Sequence, residues 1–280
     1  MQASEESEAS GTSSATSGDE HGPALPTSYF AGRVVLVTGG GSGIGAAAAR
    51  MMAHCGARVI VADIDPERAR AVATEIDGQA VVLDVADPPS WDALNLESPP
   101  TVALLNAGVL SRAELPYQIH EVTRSEVTRT VGANFLGVLH GLRRLTPAMT
   151  AAGDARICIN ASLAGISPSS FDPLYTATKH AVVGLARSVA DPLADRGVRV
   201  TILCPTAVDT PLLSPPERVL AQSMYGLLLR PEAVAQAALD LMEFGEAGEI
   251  RSVTPGDVVR RVRVELVYEA VDPTQSFPHS

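Results

Sequence analysis

A phenol and an ammonium stand four residues apart in this chain, at Tyr175 and Lys179. On a helix, positions four apart share a face, so both groups can reach one point. Lys179 is the only lysine; the other 20 of the 21 basic residues are arginines. In a chain so biased against lysine, its place beside a tyrosine is informative, although a Tyr-x-x-x-Lys pair alone is usually an ordinary surface pair. The chemistry on offer is proton transfer. A free phenol has a pKa of about 10, and bringing it to about 7 takes roughly 4 kcal/mol of anion stabilisation. One ammonium about 5 Å away supplies roughly 3 kcal/mol at an effective dielectric of about 20. Ser162 lies 13 residues before Tyr175, and Asn134 sits in an interrupted helical run. Alone, these two read as a strand-end turn residue and a helix-bend residue.

A second cluster is the stretch 38–45, Thr-Gly-Gly-Gly-Ser-Gly-Ile-Gly. An apolar, β-branched run precedes it, and an alanine-rich run follows. Strand, glycine turn and helix together present backbone N–H groups and a helix N-terminus to a phosphate. Side chains in the turn would block the approach of a pyrophosphate. Gly39, Ser42, Gly43, Ile44 and Gly45 are therefore candidate nucleotide contacts. The spacing fits G-x-G-x-x-A over Gly41, Gly43 and Ala46, and fits T-G-x-x-x-G-I-G from Thr38 better. Asp63 closes the next apolar run, 18 residues after Gly45. A carboxylate there accepts hydrogen bonds from ribose hydroxyls and repels a 2′-phosphate. Neither Ser42 nor Ile64 offers the cation that such a phosphate needs, which favours NAD over NADP.

The elements that must position these residues alternate. Strands are expected at 33–37, 57–62, 80–83, 101–105, 155–160, 198–203 and 249–253. Helices are expected between them, at 46–52, from Asp65 as N-cap, at 121–149 with an interruption over 132–137, at 173–195 and at 230–244. Pro88-Pro89 and Pro99-Pro100 leave room for only a short helix between the third and fourth strands, so one sheet face should be thinly covered. Such alternation implies an α/β doubly wound Rossmann fold, a parallel seven-stranded sheet with helices on both faces. Residues 205–216 hold four prolines and read as irregular. Residues 1–28 are acidic and free of Lys and Arg, and read as a disordered tail. The domain then spans 29–256. Residues 257–280 form an extension in which 262–266 alternates like a strand without a place in the sheet.

The glycine turn, Ser162 and the Tyr175–Lys179 pair, in this order, resemble the short-chain dehydrogenase/reductase family over about 33–253. The resemblance implies an Asn-Ser-Tyr-Lys tetrad of Asn134, Ser162, Tyr175 and Lys179. Tyr175 would exchange a proton with a secondary alcohol or ketone as hydride moves to or from NAD. Ser162 would orient the same oxygen, and Lys179 would also bind the nicotinamide ribose. Asn134 would hold a water linking Lys179 to solvent. The resemblance also places Asp84 and Val85 beside the adenine, and Asn106, Ala107 and Gly108 beside the cofactor. Pro205, Val208 and Thr210 match a segment that meets the nicotinamide amide, but Thr206 replaces its glycine and a β-branched residue resists positive φ. Leu105 stands where the family usually has an asparagine. A homotetramer or homodimer paired through the long helices is implied as well.

Composition sets outer bounds. A net charge of −11 argues against nucleic acid and anionic membrane as partners. No apolar run reaches membrane-spanning length, and Cys55, Cys158 and Cys204 lie apart in apolar runs, as buried thiols of a cytoplasmic protein would. His120, His140 and His180 do not make a metal constellation, so no metal is expected. Arg143 and Arg144 read as a solvated helix face. The expected substrate is an apolar alcohol or ketone, since Val208, Leu212, Leu213, Met224, Tyr225 and Leu227 lie in the lid region, with Leu110, Leu163 and Phe171 opposite. Two other readings share part of the pattern. A nucleotide-sensing Rossmann protein needs the turn but not the tetrad. An epimerase or dehydratase uses the same Tyr-Lys pair but usually carries a larger C-terminal domain.

Overall fold

The computed structural model describes residues 29–111 and 119–264. The acidic tail and the last residues of the chain lie outside the described residues. Eight strands form one sheet: β1 (Val34–Thr38), β2 (Arg58–Asp63), β3 (Gln79–Val82), β4 (Val102–Leu105), β5 (Ala155–Asn160), β6 (Val198–Pro205), β7 (Ile250–Thr254) and β8 (Val258–Val262). Their order is β3-β2-β1-β4-β5-β6-β7-β8. The first seven run parallel, and β8 returns antiparallel to β7. The chain reverses direction across the sheet between β1 and β4, where such folds open a crevice at the carboxyl ends of the strands. Both chemical clusters of the sequence lie at that end.

Apolar runs drive the sheet inside. The five residues of β1 are all buried, as are the four of β4. Side chains of one sheet face pack on α1 (Gly43–His54), α2 (Pro66–Glu75) and α8 (Pro231–Phe244). Those of the other face pack on α3 (Pro88–Asp92), α5 (Gly137–Ala152) and α6 (Pro173–Ala194). α1 is made of small residues, which lets it lie close to the strands; Ala46, Ala47, Ala48 and Ala49 are all buried. The capping chemistry read from the sequence is present at α2. The Asp65 carboxylate accepts from the N–H groups of Glu67 and Arg68, and Pro66 opens the helix.

The expected short crossover is α3, of only five residues. Its one large side chain, Trp91, is fully buried and donates its indole N–H to the Val85 carbonyl at 3.0 Å. Cover is thin at the edge strand β3, where Val82 stays 59% exposed. Arg144 does not belong to a solvated face as expected. It donates to the Trp91 and Leu94 carbonyls and ties α3 to α5. Its neighbour Arg143 does reach solvent and pairs with Asp92.

Two further expectations are corrected. The sheet has an eighth, antiparallel strand, so the boundary drawn at 256 falls inside the turn between β7 and β8. That strand covers 258–262; the alternation at 262–266 runs on into 265–266, which lie outside the described residues. Its side chains are mostly exposed, so no burial pattern marked it. The proline-rich stretch also ends sooner than expected, because Pro215 opens α7 (Pro215–Tyr225). Pro is accepted at a helix start, where its missing N–H costs nothing.

Candidate active site

One cavity of about 1170 Å³ runs along the carboxyl end of the sheet. Single ligand pockets span about 300–1,000 Å³, so this one lies just above the usual range. At one end it is lined by Gly39, Ser42, Gly43, Ile44 and Asp63, and at the other by Ser162, Tyr175 and Lys179.

The glycine end is built by close approach. A Cβ on Gly45 would sit 2.1 Å from the Gly39 carbonyl oxygen, so only glycine fits. Gly43 has φ +51° and lies against the Thr210 side chain. Asp63 holds the turn as well as facing the cavity: its carboxylate accepts from the Gly41 N–H at 2.9 Å and the Asp65 N–H at 3.1 Å. Arg68, which the sequence reading passed over, lines the cavity from α2 and pairs with Asp65 at 3.1 Å. The turn is also tied to β4. Asn106 donates its side-chain amide to the Thr38 and Gly39 carbonyls, and Thr38 accepts from the N–H groups of Asn106 and Ala107. Asn160 at the end of β5 donates to Asn106 at 2.8 Å. The signal for Asn160 was its place two residues before Ser162.

Asp84, Val85, Asn106, Ala107, Gly108, Pro205, Val208 and Thr210 all line the same cavity. Thr206 also lines it, in a backbone without positive φ, so the turn accommodates the β-branched residue. Its buried hydroxyl has no protein partner.

At the other end of the cavity, Tyr175 and Lys179 stand on the first turns of α6, with Lys179 Nζ 5.5 Å from the phenol ring centre. Ser162 begins a short 3-10 turn after β5; its hydroxyl accepts from the Ala164 N–H at 3.1 Å and faces the Tyr175 phenol. Lys179 is buried and donates to the Asn160 carbonyl at 3.0 Å. Burial sets both ionisations. Loss of hydration pushes the Tyr175 phenol up to about 12, with the Ser162 hydrogen bond pulling the other way. The same loss pushes the Lys179 ammonium down to about 8. Without a bound cofactor, burial therefore favours the protonated phenol. Cys204, at the end of β6, was read only as a buried thiol. It lies beside this pair, bonded by the main chain of Ser162, and burial raises it to about 11.

Asn134 lies in a π-helical turn, Gly132–Leu136, that joins α4 (Arg124–Val131) to α5. The bulge is what the interrupted pattern at 132–137 signalled, and such bulges aim side chains that a regular helix would not. Asn134 is fully buried. It accepts from the Val109 N–H at 2.8 Å and donates to the Val109 carbonyl at 2.9 Å and the Thr178 hydroxyl at 3.1 Å. Its amide is thus occupied by protein, and a water shared with Lys179 would have to use the second lone pair of Oδ1.

The lid is mixed. Val208, Leu212, Leu213, Met224 and Tyr225 line the cavity, as do Leu110, Leu163 and Phe171. Leu227 does not; it is 70% exposed. Among the described residues there is no group of three or more His, Cys, Asp or Glu placed to hold a metal. No helix among them is long and apolar enough to cross a membrane.

Comparison with known proteins agrees with this geometry. The profile of the short chain dehydrogenase family matches residues 33–218. A 2,5-dichloro-2,5-cyclohexadiene-1,4-diol dehydrogenase of Sphingobium indicum is 32% identical over 227 residues, covering 76% of this chain and 89% of the relative. A 3-alpha-(or 20-beta)-hydroxysteroid dehydrogenase of Mycobacterium tuberculosis is 34% identical over 218 residues, covering 75% and 82%. Among solved structures, a 3-ketoacyl-(acyl-carrier-protein) reductase from Brucella melitensis complexed with NADH superposes with a TM-score of 0.75 at 31% identity, covering 81% of this chain and 99% of that one. With the family profile spanning most of the chain and both ends of the cavity in place, the protein belongs to the short chain dehydrogenases and is an oxidoreductase acting on CH–OH groups.

Proposed function

We propose that the protein is an NAD-dependent dehydrogenase of apolar, cyclic secondary alcohols and their ketones. The observation that carries this reading is the shared cavity, with a glycine cradle and Asp63 at one end and Ser162, Tyr175 and Lys179 at the other. The relatives named above are dehydrogenases of ring-bearing alcohols, and the structural neighbour was solved with NADH.

The residues present fit a dinucleotide. A Cβ at Gly41 would collide with Arg68 and Asp63, so the turn packs closely on both residues and only glycine leaves its backbone this near them. Asp63 accepts the ribose hydroxyls and disfavours a 2′-phosphate, hence NAD rather than NADP. Bound NAD supplies the hydride acceptor and, in its oxidised form, a positive charge. The chain supplies the proton chemistry. Ser162 donates to the reacting oxygen and orients it. In reduction the protonated Tyr175 gives its proton to the forming alkoxide, which suits a phenol held protonated by burial. In oxidation Tyr175 takes that proton as its anion, with the Lys179 ammonium close by. Lys179 also holds the ribose, and its bond to Asn160 fixes its reach. Asn134 holds the wall at Val109. The apolar lid excludes water and selects the substrate.

The test is a panel of cyclic and acyclic secondary alcohols with NAD and with NADP, read as absorbance of the reduced cofactor. Turnover with NAD, strongest for cyclic apolar alcohols, is expected. Turnover confined to NADP, or none with any alcohol or ketone, would overturn the reading.

A further inference from the structure

Asp172 stands at the N-cap of α6, three residues before Tyr175, and is 3% exposed. A buried carboxylate costs several kcal/mol unless it is well paired. This one takes three donors: the Tyr175 N–H at 2.9 Å, the Ser111 N–H at 2.8 Å and the Ser111 hydroxyl at 2.6 Å. Two of these come from far along the sequence, from the stretch after β4 that carries Val109 and Leu110 into the cavity. The Ser111 carbonyl in turn accepts from Arg129 of α4 at 2.7 Å. Asn134 clamps the same stretch two residues earlier, through both main-chain groups of Val109. The cavity wall beside the phenol is therefore pinned at two points, one to the π turn and one to the start of the catalytic helix.

We propose that Asp172 is a positioning residue for this site: it joins the substrate wall at Ser111 to the main chain of Tyr175, and so sets the phenol against the bound alcohol. This rests on the dehydrogenase reading above. A single carboxylate bridging both elements couples them directly, so a shift of the wall on binding is felt at the phenol. Catalytic groups must be held to within a fraction of an ångström, and misplacement by about 1 Å can cost on the order of 10²-fold in rate. Asp172 also bears a charge. The groups facing the phenol are Asp172 and Lys179 on α6, Ser162 after β5, Cys204 on β6 and Tyr225 on α7, with Arg129 of α4 behind Ser111. Among these Asp172 is the anion, and it acts to hold the phenol protonated.

Three variants of the full chain test this. Asp172→Ala removes the bridge. Asp172→Asn keeps an acceptor and removes the charge. Ser111→Ala removes one donor only. For Asp172→Ala we expect kcat with a cyclic alcohol to fall at least tenfold, with NAD affinity by fluorescence titration within twofold of the parent. Asp172→Asn should recover part of that kcat, and the rising limb of its kcat/KM profile for oxidation should move to lower pH by about half a unit or more, because an anion has gone. Ser111→Ala should raise KM for the alcohol more than it lowers kcat. Amide hydrogen exchange gives a readout that needs no turnover: the Ser111 and Tyr175 N–H groups should lose protection in Asp172→Ala. Parental kcat in Asp172→Ala, an unmoved limb in Asp172→Asn, or unchanged exchange at both amides would each overturn the proposal. A parent inactive with every alcohol would overturn the dehydrogenase reading instead, and the exchange measurement would still decide the bridge. Loss of NAD binding in both Asp172 variants would show a merely structural cap and would also overturn it.

Discussion

At the scale of single residues, ionisation is the property that burial controls most. The Tyr175 phenol is held near 12 by lost hydration, and the Ser162 hydrogen bond is the largest influence favouring its anion. If the phenol acts as proposed, it is the base in alcohol oxidation, so kcat/KM should rise with pH, and the acid in ketone reduction, so kcat/KM should stay level through neutrality and fall on the alkaline side. Ser162→Ala removes the bond to the anion, which raises the phenol further and moves the oxidation limb to higher pH. A pH–rate profile in the oxidation direction checks this, and a shift to lower pH would contradict it. Asp63 has two duties, holding the Gly41 N–H and facing the cavity. Asp63→Ala should weaken NAD binding by about 1.5–3 kcal/mol, the worth of hydrogen bonds to a charged group. It should also narrow the preference over NADP, since the repulsion of a 2′-phosphate goes and Arg68 lines the same stretch. Titration of both cofactors reads the two effects separately. The spacings of Tyr175, Lys179, Ser162 and Asp63 stand out in the sequence, and the structure brings all four to one cavity. Asp172 and Ser111 do not stand out, because their meaning lies in a contact 61 residues apart. The effect of burial on Tyr175 was hidden for a related reason: charge can be read from a sequence, while desolvation needs the packing around it.

At the scale of elements, the β1–turn–α1 unit is the most constrained. With the Gly39 carbonyl 2.1 Å from where a Cβ would lie, Gly45→Ala forces backbone to move. Such overpacking costs about 1–3 kcal/mol, enough to lower the melting temperature by several degrees and to spoil the cradle. Calorimetry and NAD titration should both register it, and parental values in both would show that the turn yields freely. Apolar runs located the central strands, whose residues are buried on both faces as in β1 and β4, while the edge strand β3 alternates half-buried and exposed residues. The pattern failed at β8, whose residues are mostly exposed and whose order is set by pairing with β7 alone. It also failed at α7, where four prolines hid a helix that one of them starts. The interruption in the long helix was visible, since glycines flank it; that it is a π turn aiming Asn134 at Val109 required the coordinates.

At the scale of the whole molecule, two sets of helices enclose one sheet, and the carboxyl edge of that sheet carries the one cavity to which the proposal assigns both cofactor and proton chemistry. Exposed β8 and the faces of α5 and α6 remain for association, and a homotetramer or homodimer is the expected state in solution. Light scattering of the full chain at micromolar concentration checks this, with a monomeric mass as the contrary result. The central claim is that the two ends of the cavity act together, with Tyr175 passing the proton while hydride moves. Tyr175→Phe tests it most directly, because the ring and its packing stay while the hydroxyl goes. With NAD and any secondary alcohol the parent oxidises, followed by absorbance of the reduced cofactor, turnover should fall by about 10²–10⁴-fold while NAD affinity is kept; near-parental turnover in Tyr175→Phe would contradict the account.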